Sequence, residues 1–316
     1  MPRTLSETYA SILERIDRRD WELARNAFFW LAFAYRPLRL AELNEAVVID
    51  ETCTALEDDM MLVAPEILLH MCQGLITQDS KTGEVVLAHS SIKDFLTSDW
   101  IRSSGLRFFS LDPSTANHTI MRQCLTYLCL DNFRSGYRVH HDKDPFARID
   151  QVRRRVRQHP FLAYAAEFWG QHGASCTFQE LRDRQLLDQF FASRLHLSRC
   201  GNFGAWVQVL IPEASPSTIE ATSPLYYASS FNMLPVARFL VERDPALINA
   251  PGGRRSSTPL FIACFRGHVK MAEMLIEAGG DPTIRDPGIG ITVFQLVDRE
   301  GHVAHAALRR ILSKYR

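Results

Sequence analysis

Hydrophobic side chains recur at helical spacing through the first seventy residues. Apolar residues three or four positions apart predict amphipathic helices over residues 5–16, 21–33, 38–49 and 65–72. The second of these helices ends before Pro37, because proline disfavours the helical conformation at the residue that precedes it. The N-terminal region is therefore expected to begin as a group of short packed helices.

After residue 74 the pattern changes to short β-branched stretches. Residues 75–78 and 84–88 have strand propensity, and the polar turn between them predicts a β-hairpin. At His89 the second strand passes directly into another helix, for which the hydroxyl of Ser90 or Ser91 is the expected N-cap. Helices followed by one hairpin and a closing helix form the pattern of a winged helix.

Two strongly apolar helical segments follow the hairpin region. Residues 114–130 begin after an Asp-Pro pair and keep helical spacing, and a second apolar helix is predicted from His159 onwards. Between them lies the short basic run Arg153–Arg157, which we interpret as a solvated or partner-facing helix edge. These segments predict a helical linker.

The C-terminal part contains a repeat of about 35 residues. Ser223–Ala228 and Thr258–Ala263 share a Ser/Thr-Pro-Leu pattern, and weaker copies begin at Ser193 and Thr292. Nine residues into each unit stands a residue expected to take a left-handed turn. These residues are Asn202, Asn232, Gly267 and Gly301. The motif and its spacing resemble ankyrin repeats, and His268, beside the turn, is expected to be a structural hydrogen-bonding residue.

Ankyrin arrays bind partners through the exposed face of their helices and through the loops between units. Residues 250–255 and 286–290 lie where such loops project. The candidate partner-binding residues are Tyr226, Tyr227, Arg254, Arg255, Phe261, Arg266 and Arg285.

Charge and composition exclude several classes of protein. The chain has 316 residues, 46% of them hydrophobic, with 36 basic and 36 acidic side chains. Residues 1–110 carry 11 basic against 17 acidic side chains, which disfavours a winged helix that binds DNA. No apolar run approaches the roughly 20 residues of a membrane span. The seven scattered cysteines, mostly among apolar residues, predict reduced thiols in a cytoplasmic protein.

Motifs for catalysis are missing. The sequence has no phosphate-binding P-loop, no Gly-x-Ser-x-Gly nucleophile elbow and no Cys-x-x-Cys zinc spacing. His140–Asp142 lacks a third metal ligand at a useful spacing, and Asp58 and Asp59 lie in an acidic loop with nothing to raise a pKa. We therefore predict a protein that is not an enzyme, with no cofactor and no metal.

Three segments of the first hundred residues resemble the winged-helix segment of fungal NACHT–ankyrin proteins: Thr4–Tyr9, Trp30–Leu38 and His89–Leu96. Those proteins are NTPases of the STAND class, built like NOD-like receptors. The segment carries a label taken from GPI-inositol-deacylase, which does not imply that activity. The resemblance implies an NTPase module before this segment, so the chain is expected to be a truncated relative, an incomplete gene product or a fragment.

The same resemblance gives His89 a second interpretation. In related STAND proteins a histidine at the start of the helix after the wing contacts the β-phosphate of bound ADP. His89 matches that position, whereas Ser90 replaces the aspartate that usually follows. A histidine that only bonds across the strand–helix corner remains the alternative, and it is favoured for a chain without a nucleotide pocket.

The sequence therefore predicts a mainly α-helical chain. A winged-helix domain with one small β-hairpin would span residues 1–110, a helical linker 111–190 and about four ankyrin units 191–316. The predicted function is a non-enzymatic scaffold that binds a protein partner through its ankyrin repeats, with no nucleic-acid or membrane partner. The alternative is the regulatory part of a NACHT-type nucleotide switch whose NTPase module is supplied in cis or in trans.

Overall fold

A computed structural model describes residues 4–57, 60–137, 144–299 and 304–315. The chain forms two compact units, one of residues 1–133 and 151–172 and the other of residues 134–150 and 173–316. The predicted boundaries at residues 110 and 190 stay a prediction. Within the described residues, no helix combines the length and the apolar character that a membrane span requires. The fold is mainly helical with one small sheet, as predicted.

The first unit contains short helices before its sheet and longer ones after it. Its helices are α1 (Leu5–Leu13), α2 (Trp21–Phe33), α3 (Leu40–Ala46), α4 (Ile67–Met71), α5 (Ser90–Leu96), α6 (Asp99–Ser103), α7 (Pro113–Leu128) and α9 (Leu162–His172). The intervening helix α8 (Pro145–Gln158) crosses the boundary at residue 150. Helix α2 has the predicted bounds.

The sheet has three strands rather than the two of the predicted hairpin. Strands β2 (Ile76–Gln78) and β3 (Glu84–Leu87) form that hairpin, and β1 (Leu38–Arg39) pairs antiparallel with β3 on its other side. The predicted helix over residues 38–49 was therefore wrong in its first turn. The side chain of Leu38 is fully buried opposite Val85, so the gain from burial holds these two residues in an extended conformation.

The core of the first unit is built on aromatic rings. Trp30 of α2 meets Phe161 and Tyr164 edge to face, with ring centroids 5.1 and 5.8 Å apart. Tyr127 of α7 meets Phe161 in the same way at 5.0 Å. All four side chains are fully buried. The indole N–H of Trp30 donates to the carbonyl of Ala46 at 3.0 Å, so this buried donor is satisfied.

A buried carboxyl group lies beside this aromatic core. Glu45 of α3 accepts hydrogen bonds through Oε2 from the Tyr127 hydroxyl at 2.6 Å and from the Phe161 backbone N–H at 3.0 Å. Its side chain is only 2% exposed in a largely apolar surrounding. Burial raises the pKa of Glu45 from 4.5 to about 6, against the effect of the two hydrogen bonds.

A second buried titratable group lies at the end of α9. His172 Nε2 is 2.8 Å from the Tyr164 hydroxyl, and Nδ1 is 2.8 Å from Asn117 Oδ1. The Tyr164 hydroxyl also accepts from the backbone N–H of Tyr35 at 3.0 Å. A neutral imidazole that donates through Nδ1 and accepts through Nε2 satisfies all of these bonds. Burial lowers the pKa of His172 from 6.5 to about 4.

The second unit consists of stacked helices. They are α10 (Leu181–His196), α11 (Gly201–Leu210), α12 (Pro216–Ala221), α13 (Pro224–Ser230), α14 (Leu234–Arg243), α15 (Pro259–Phe265), α16 (Val269–Glu277), α17 (Val293–Asp298) and α18 (His305–Leu312). From α13 onwards they form consecutive pairs. The hydroxyl groups of Ser223, Thr258 and Thr292 cap the first helix of each pair by accepting from the backbone N–H three residues on.

The turn inside each pair follows the predicted pattern in the two stronger repeats. Asn232 and Gly267 have φ values of 57° and 75°, in the left-handed region. His268 Nε2 donates to the carbonyl of Ser230 in the preceding repeat at 3.2 Å, which confirms the predicted structural role of this histidine. Gly301 lies outside the described residues.

The predicted register of the first repeat was wrong. Ser193 lies in the last turn of the long helix α10 and does not start a helix. Asn202 is buried inside α11, and the left-handed turn falls on Arg199 and Cys200, with φ values of 53° and 56°. The Ser193 hydroxyl accepts from the backbone N–H of Phe203, so its polar contact is made across the turn.

Candidate functional site

A pocket of about 290 Å³ opens on the second unit, between helices α13 and α15 and the loop that precedes α15. Its lining includes six of the seven sequence-predicted binding residues. These six are Tyr226, Tyr227, Arg254, Arg255, Phe261 and Arg266. The seventh, Arg285, does not line the pocket, and its guanidinium donates to the Gly290 carbonyl at 2.9 Å and to Gln295 Oε1 at 3.3 Å.

The loop over the pocket is a tight hairpin whose backbone lies on the ring of Tyr226. Gly252 and Ser257 exchange two backbone hydrogen bonds, of 2.8 and 2.9 Å. A Cβ atom at Gly252 would come within 2.6 Å of the Tyr226 ring, and one at Gly253 within 2.4 Å of its hydroxyl oxygen. Gly253 also has a φ of 68°, so both its conformation and its contact require glycine.

A hydrogen-bonded group anchors this hairpin to its neighbours. The backbone N–H of Gly253 donates to the Thr222 hydroxyl at 2.8 Å. The Ser257 hydroxyl donates to the carboxylate of Asp286, which also accepts from the backbone N–H of Ile289 at 2.8 Å. Asp286 is 1% exposed. The loops of adjacent repeats are therefore joined through a buried polar contact.

The aromatic residues of the pocket differ in exposure. Tyr227 and Phe261 are 1% and 3% exposed, so they belong mainly to the core between the helices. Tyr226 is half-buried, and burial raises the pKa of its hydroxyl, while the nearby charges of Arg266 and Arg255 act in the opposite direction. Phe265, at the end of α15, is 47% exposed and is the large apolar side chain that a ligand could reach.

Sequence reasoning did not select Phe265 or Ile262. Phe265 lies one helical turn after Phe261 on α15, so both residues share a face of that helix. The four-residue spacing was visible in the sequence. Which part of this face is solvent-exposed depends on the packing of the neighbouring repeat, and the motif does not contain that information.

His89 caps the helix after the wing, which corrects the sequence-based choice of Ser90 or Ser91. Helix α5 begins at Ser90, and His89 Nδ1 accepts from the backbone N–H of Ser91 at 3.2 Å. The Ser91 hydroxyl lies 2.7 Å from the same nitrogen and 2.7 Å from the hydroxyl of Tyr9. The serine hydroxyl is thus used by the Tyr9 contact, and the imidazole serves as the cap acceptor. The His89 side chain is exposed.

The sequence also drew attention to the cysteines, to Asp58–Asp59 and to His140–Asp142. All seven cysteines are described and none forms a disulfide. Burial raises the pKa of Cys72 and of Cys264 to about 12, which makes both thiols unreactive at neutral pH. Asp58–Asp59 and His140–Asp142 lie outside the described residues.

Two family descriptions match separate parts of the chain. Residues 13–108 match the winged helix domain of GPI inositol-deacylase, and residues 190–286 match ankyrin repeats in three copies. The chain contains a winged-helix domain and ankyrin repeats. The two matched segments correspond to the helix–sheet region of the first unit and to helices α10–α16 of the second.

Curated relatives resemble the chain to very different extents. "Azaphilone pigments biosynthesis cluster protein L" of Monascus ruber is 26% identical over an alignment of 304 residues, which covers 89% of this chain. The chain spans 60% of the length of that relative.

Two palmitoyltransferases match a short segment only. Palmitoyltransferase AKR1 of Lachancea kluyveri is 38% identical over 68 residues, and palmitoyltransferase ZDHHC13 of Mus musculus is 37% identical over 67. These segments cover 22% and 21% of this chain and 9% and 11% of those proteins. No solved structure matches the chain.

Proposed function

We propose that this chain is a scaffold that binds a protein partner through its ankyrin repeats and has no catalytic activity of its own. The observation that carries the proposal is the pocket beside α15, which is lined by both the exposed ring of Phe265 and the half-buried ring of Tyr226. An exposed aromatic side chain in the same pocket as an aromatic ring that packing fixes in place is typical of the centre of a protein interface. Ankyrin repeats support such a role.

The chemistry of the described residues supports binding rather than catalysis. Among the described residues of the pocket lining, the titratable side chains are tyrosine and arginine, and no nucleophile is paired with a base. We also propose a cytoplasmic location, and the seven free cysteines support it because thiols stay reduced in that compartment.

Selection from a random peptide library tests the proposal. Phage-displayed 12-residue peptides are panned on the immobilised full chain, and enriched peptides are measured by fluorescence anisotropy. Phe265→Ala is expected to weaken their binding at least tenfold, because it removes the exposed ring from the pocket. Leu195→Ala removes an apolar side chain that is 72% exposed on α10 of the same unit, and it is the matched control.

The comparison of the two variants decides the result. Binding that falls with Phe265→Ala and stays within twofold with Leu195→Ala supports a partner site in the ankyrin pocket. The proposal is wrong if no peptide is enriched, or if every enriched peptide binds the Phe265→Ala variant as tightly as the original chain.

The second candidate function is the regulatory part of a NACHT-type nucleotide switch, with the NTPase module in cis or in trans. The observation in its favour is that the His89 imidazole is exposed at the corner between wing and helix while Nδ1 caps α5. Calorimetric titration of the full chain with ADP tests it. Loss of ADP binding in His89→Ala but not in His118→Ala would support this candidate function. If the chain does not bind ADP without an NTPase module, the result would contradict a nucleotide contact made by His89 in this chain alone.

A further inference from the structure

The aromatic wall of the pocket, formed by Tyr226 packed against Tyr227, is fixed before a ligand binds. The hairpin backbone at Gly252 and Gly253 lies directly on the Tyr226 ring, which also meets the ring of Tyr227 nearly at right angles with centroids 5.8 Å apart. These contacts on two sides restrict the rotation of the Tyr226 side chain. Because the ring is already ordered, an apolar ligand group that packs on it loses little binding free energy to the conformational entropy of this side chain.

Three arginine side chains line the same pocket as this wall. Among the described residues, Arg254, Arg255 and Arg266 form neither an ion pair nor a hydrogen bond through their side chains. No aspartate or glutamate belongs to the described lining. The nearby carboxylate of Asp286 is buried and already accepts from Ser257. The pocket therefore carries positive charge that no described acidic side chain pairs with.

The contrast with Arg285 shows that this is a property of the pocket rather than of every loop arginine. Arg285 belongs to the next loop of the same array and is also exposed. Its guanidinium is occupied by the Gly290 carbonyl and the Gln295 side chain. The arginines at the pocket keep their donors for a ligand, and arginine is suited to hold carboxylates through paired hydrogen bonds.

The size and charge of the pocket restrict what it can bind. A volume of about 290 Å³ is at the lower limit of small-molecule sites, which is roughly 300 Å³, and it accommodates one large side chain with its neighbours. Three arginines give fewer contacts than the roughly 6–10 phosphates that typical nucleic-acid binding neutralises. Residues 191–316 carry 14 basic against 10 acidic side chains, so the wider excess of positive charge in the repeat region is small.

We propose that this pocket binds a short acidic peptide of the partner protein. An aromatic or aliphatic side chain of the peptide packs against Tyr226 and Phe265, and flanking carboxylates pair with Arg255, Arg266 and Arg254. This inference rests on the proposed function and specifies the chemistry of the partner. Opposite charge orients the peptide as it approaches, and the apolar contact supplies the affinity.

Four fluorescein-labelled peptides titrated against the full chain by fluorescence anisotropy test this inference. The first has the core Asp-Glu-Phe-Glu-Asp, the second replaces Phe by Gly, the third replaces the acids by Asn and Gln, and the fourth replaces them by Lys. The first peptide is expected to bind most tightly. Loss of Phe should weaken binding at least fivefold, and loss of the carboxylates at least tenfold. Raising NaCl from about 50 to 500 mM should weaken the first complex, since salt screens exposed charges.

Charge-reversal variants locate the binding site. Arg255→Glu should weaken binding of the first peptide at least tenfold, and Arg266→Glu provides an independent variant because the stem of Arg255 also packs on Gly288. Lys270→Glu makes the same charge change at an exposed position of α16 that does not line the pocket, and it should stay within twofold. Unchanged circular dichroism melting confirms that each variant is folded.

Several outcomes would overturn the inference. Equal binding of the neutral or the lysine peptide would show that charge does not select the ligand. Equal weakening by Lys270→Glu would show that the peptide does not bind at the pocket. If a single-stranded oligonucleotide of the same charge binds as tightly as the first peptide, the pocket is a general anion site. If the library peptides depend on Phe265 but are not acidic, this inference fails while the proposed scaffold function stands.

Discussion

The carboxyl group of Glu45 should make the first unit less stable as the pH rises from 4.5 to 6. Its pKa is about 6 in the folded state, against the ordinary value of 4.5 expected in the unfolded chain. In this interval the unfolded state loses the proton before the folded state does, so deprotonation favours unfolding. Each pKa unit is worth 1.36 kcal/mol, and the shift therefore removes about 2 kcal/mol of unfolding free energy between pH 4 and pH 7.5.

Glu45→Gln removes this titration and keeps an acceptor for both hydrogen bonds. An amide oxygen in the place of Oε2 can still accept from the Tyr127 hydroxyl and the Phe161 N–H. The unfolding free energy of the variant minus that of the original chain should therefore be about 2 kcal/mol larger at pH 7.5 than at pH 4. Burying the amide NH₂ group of the glutamine destabilises the variant equally at both pH values. This cost therefore cancels in the difference.

Urea unfolding followed by tryptophan fluorescence at the two pH values measures this quantity. Four of the five tryptophans, at positions 21, 30, 100 and 169, belong to the first unit, so the signal reports mainly on its unfolding. Glu66→Gln, which removes one carboxyl group from the surface of the same unit, controls for the loss of charge. A difference that stays constant between pH 4 and 7.5, or that grows towards acid pH, would refute the reasoning.

Three further predictions concern single side chains. Because burial lowers the pKa of His172 to about 4, the unfolding free energy of the first unit should fall by about 3 kcal/mol between pH 6.5 and pH 4. His172→Gln should reduce this loss in the same urea series, and equal losses in the variant and the original chain would contradict the prediction. Thr258→Ala removes the cap of α15 and should cost about 1 kcal/mol in thermal unfolding, whereas Thr258→Ser should cost less than half as much. His89→Ala should cost about 1 kcal/mol by the same assay, with His89→Asn retaining most of the stability if capping is the role of the imidazole.

Local sequence signals were sufficient to predict the bounds of an element where one residue type determines the backbone conformation. Pro37 and the apolar spacing before it gave the bounds of α2, and the Thr-Pro pair at residue 258 gave the start of α15. In both cases the deciding interaction is formed within a few residues of the chain. Such elements can be predicted without knowledge of the remainder of the fold.

Elements that depend on distant residues could not be predicted. Leu38 and Arg39 form a strand because they pair with residues more than 40 positions away. The first repeat is shifted because a left-handed turn falls on Arg199 and Cys200, which are not turn-favouring residues. Cys200 is 6% exposed, and the Arg199 carbonyl accepts from the backbone N–H of Tyr137 at 3.2 Å. The cap at His89 likewise depends on Tyr9, which contacts the hydroxyl of Ser91.

The binding residues were predictable as a group but not in detail. The repeat spacing indicated which helices and loops face outward, and six of the selected residues line one pocket. The sequence does not show which arginines are bonded within their own loop. Arg285 has such bonds and Arg255 does not, and this difference arises from how Gly290 and Gln295 are placed.

The contact between the hairpin glycines and Tyr226 limits how the loop can be altered. Any side chain at residue 252 or 253 would displace the ring, whereas residues 254–256 are exposed. Ser256 does not line the pocket and has a φ of 54°, so a designed library should randomise only residues 254 and 255, which would vary the rim of the pocket and leave its support intact. The same restriction separates two kinds of natural variation: changes at residues 254 and 255 can alter partner choice, while changes at the glycines would remove the pocket itself.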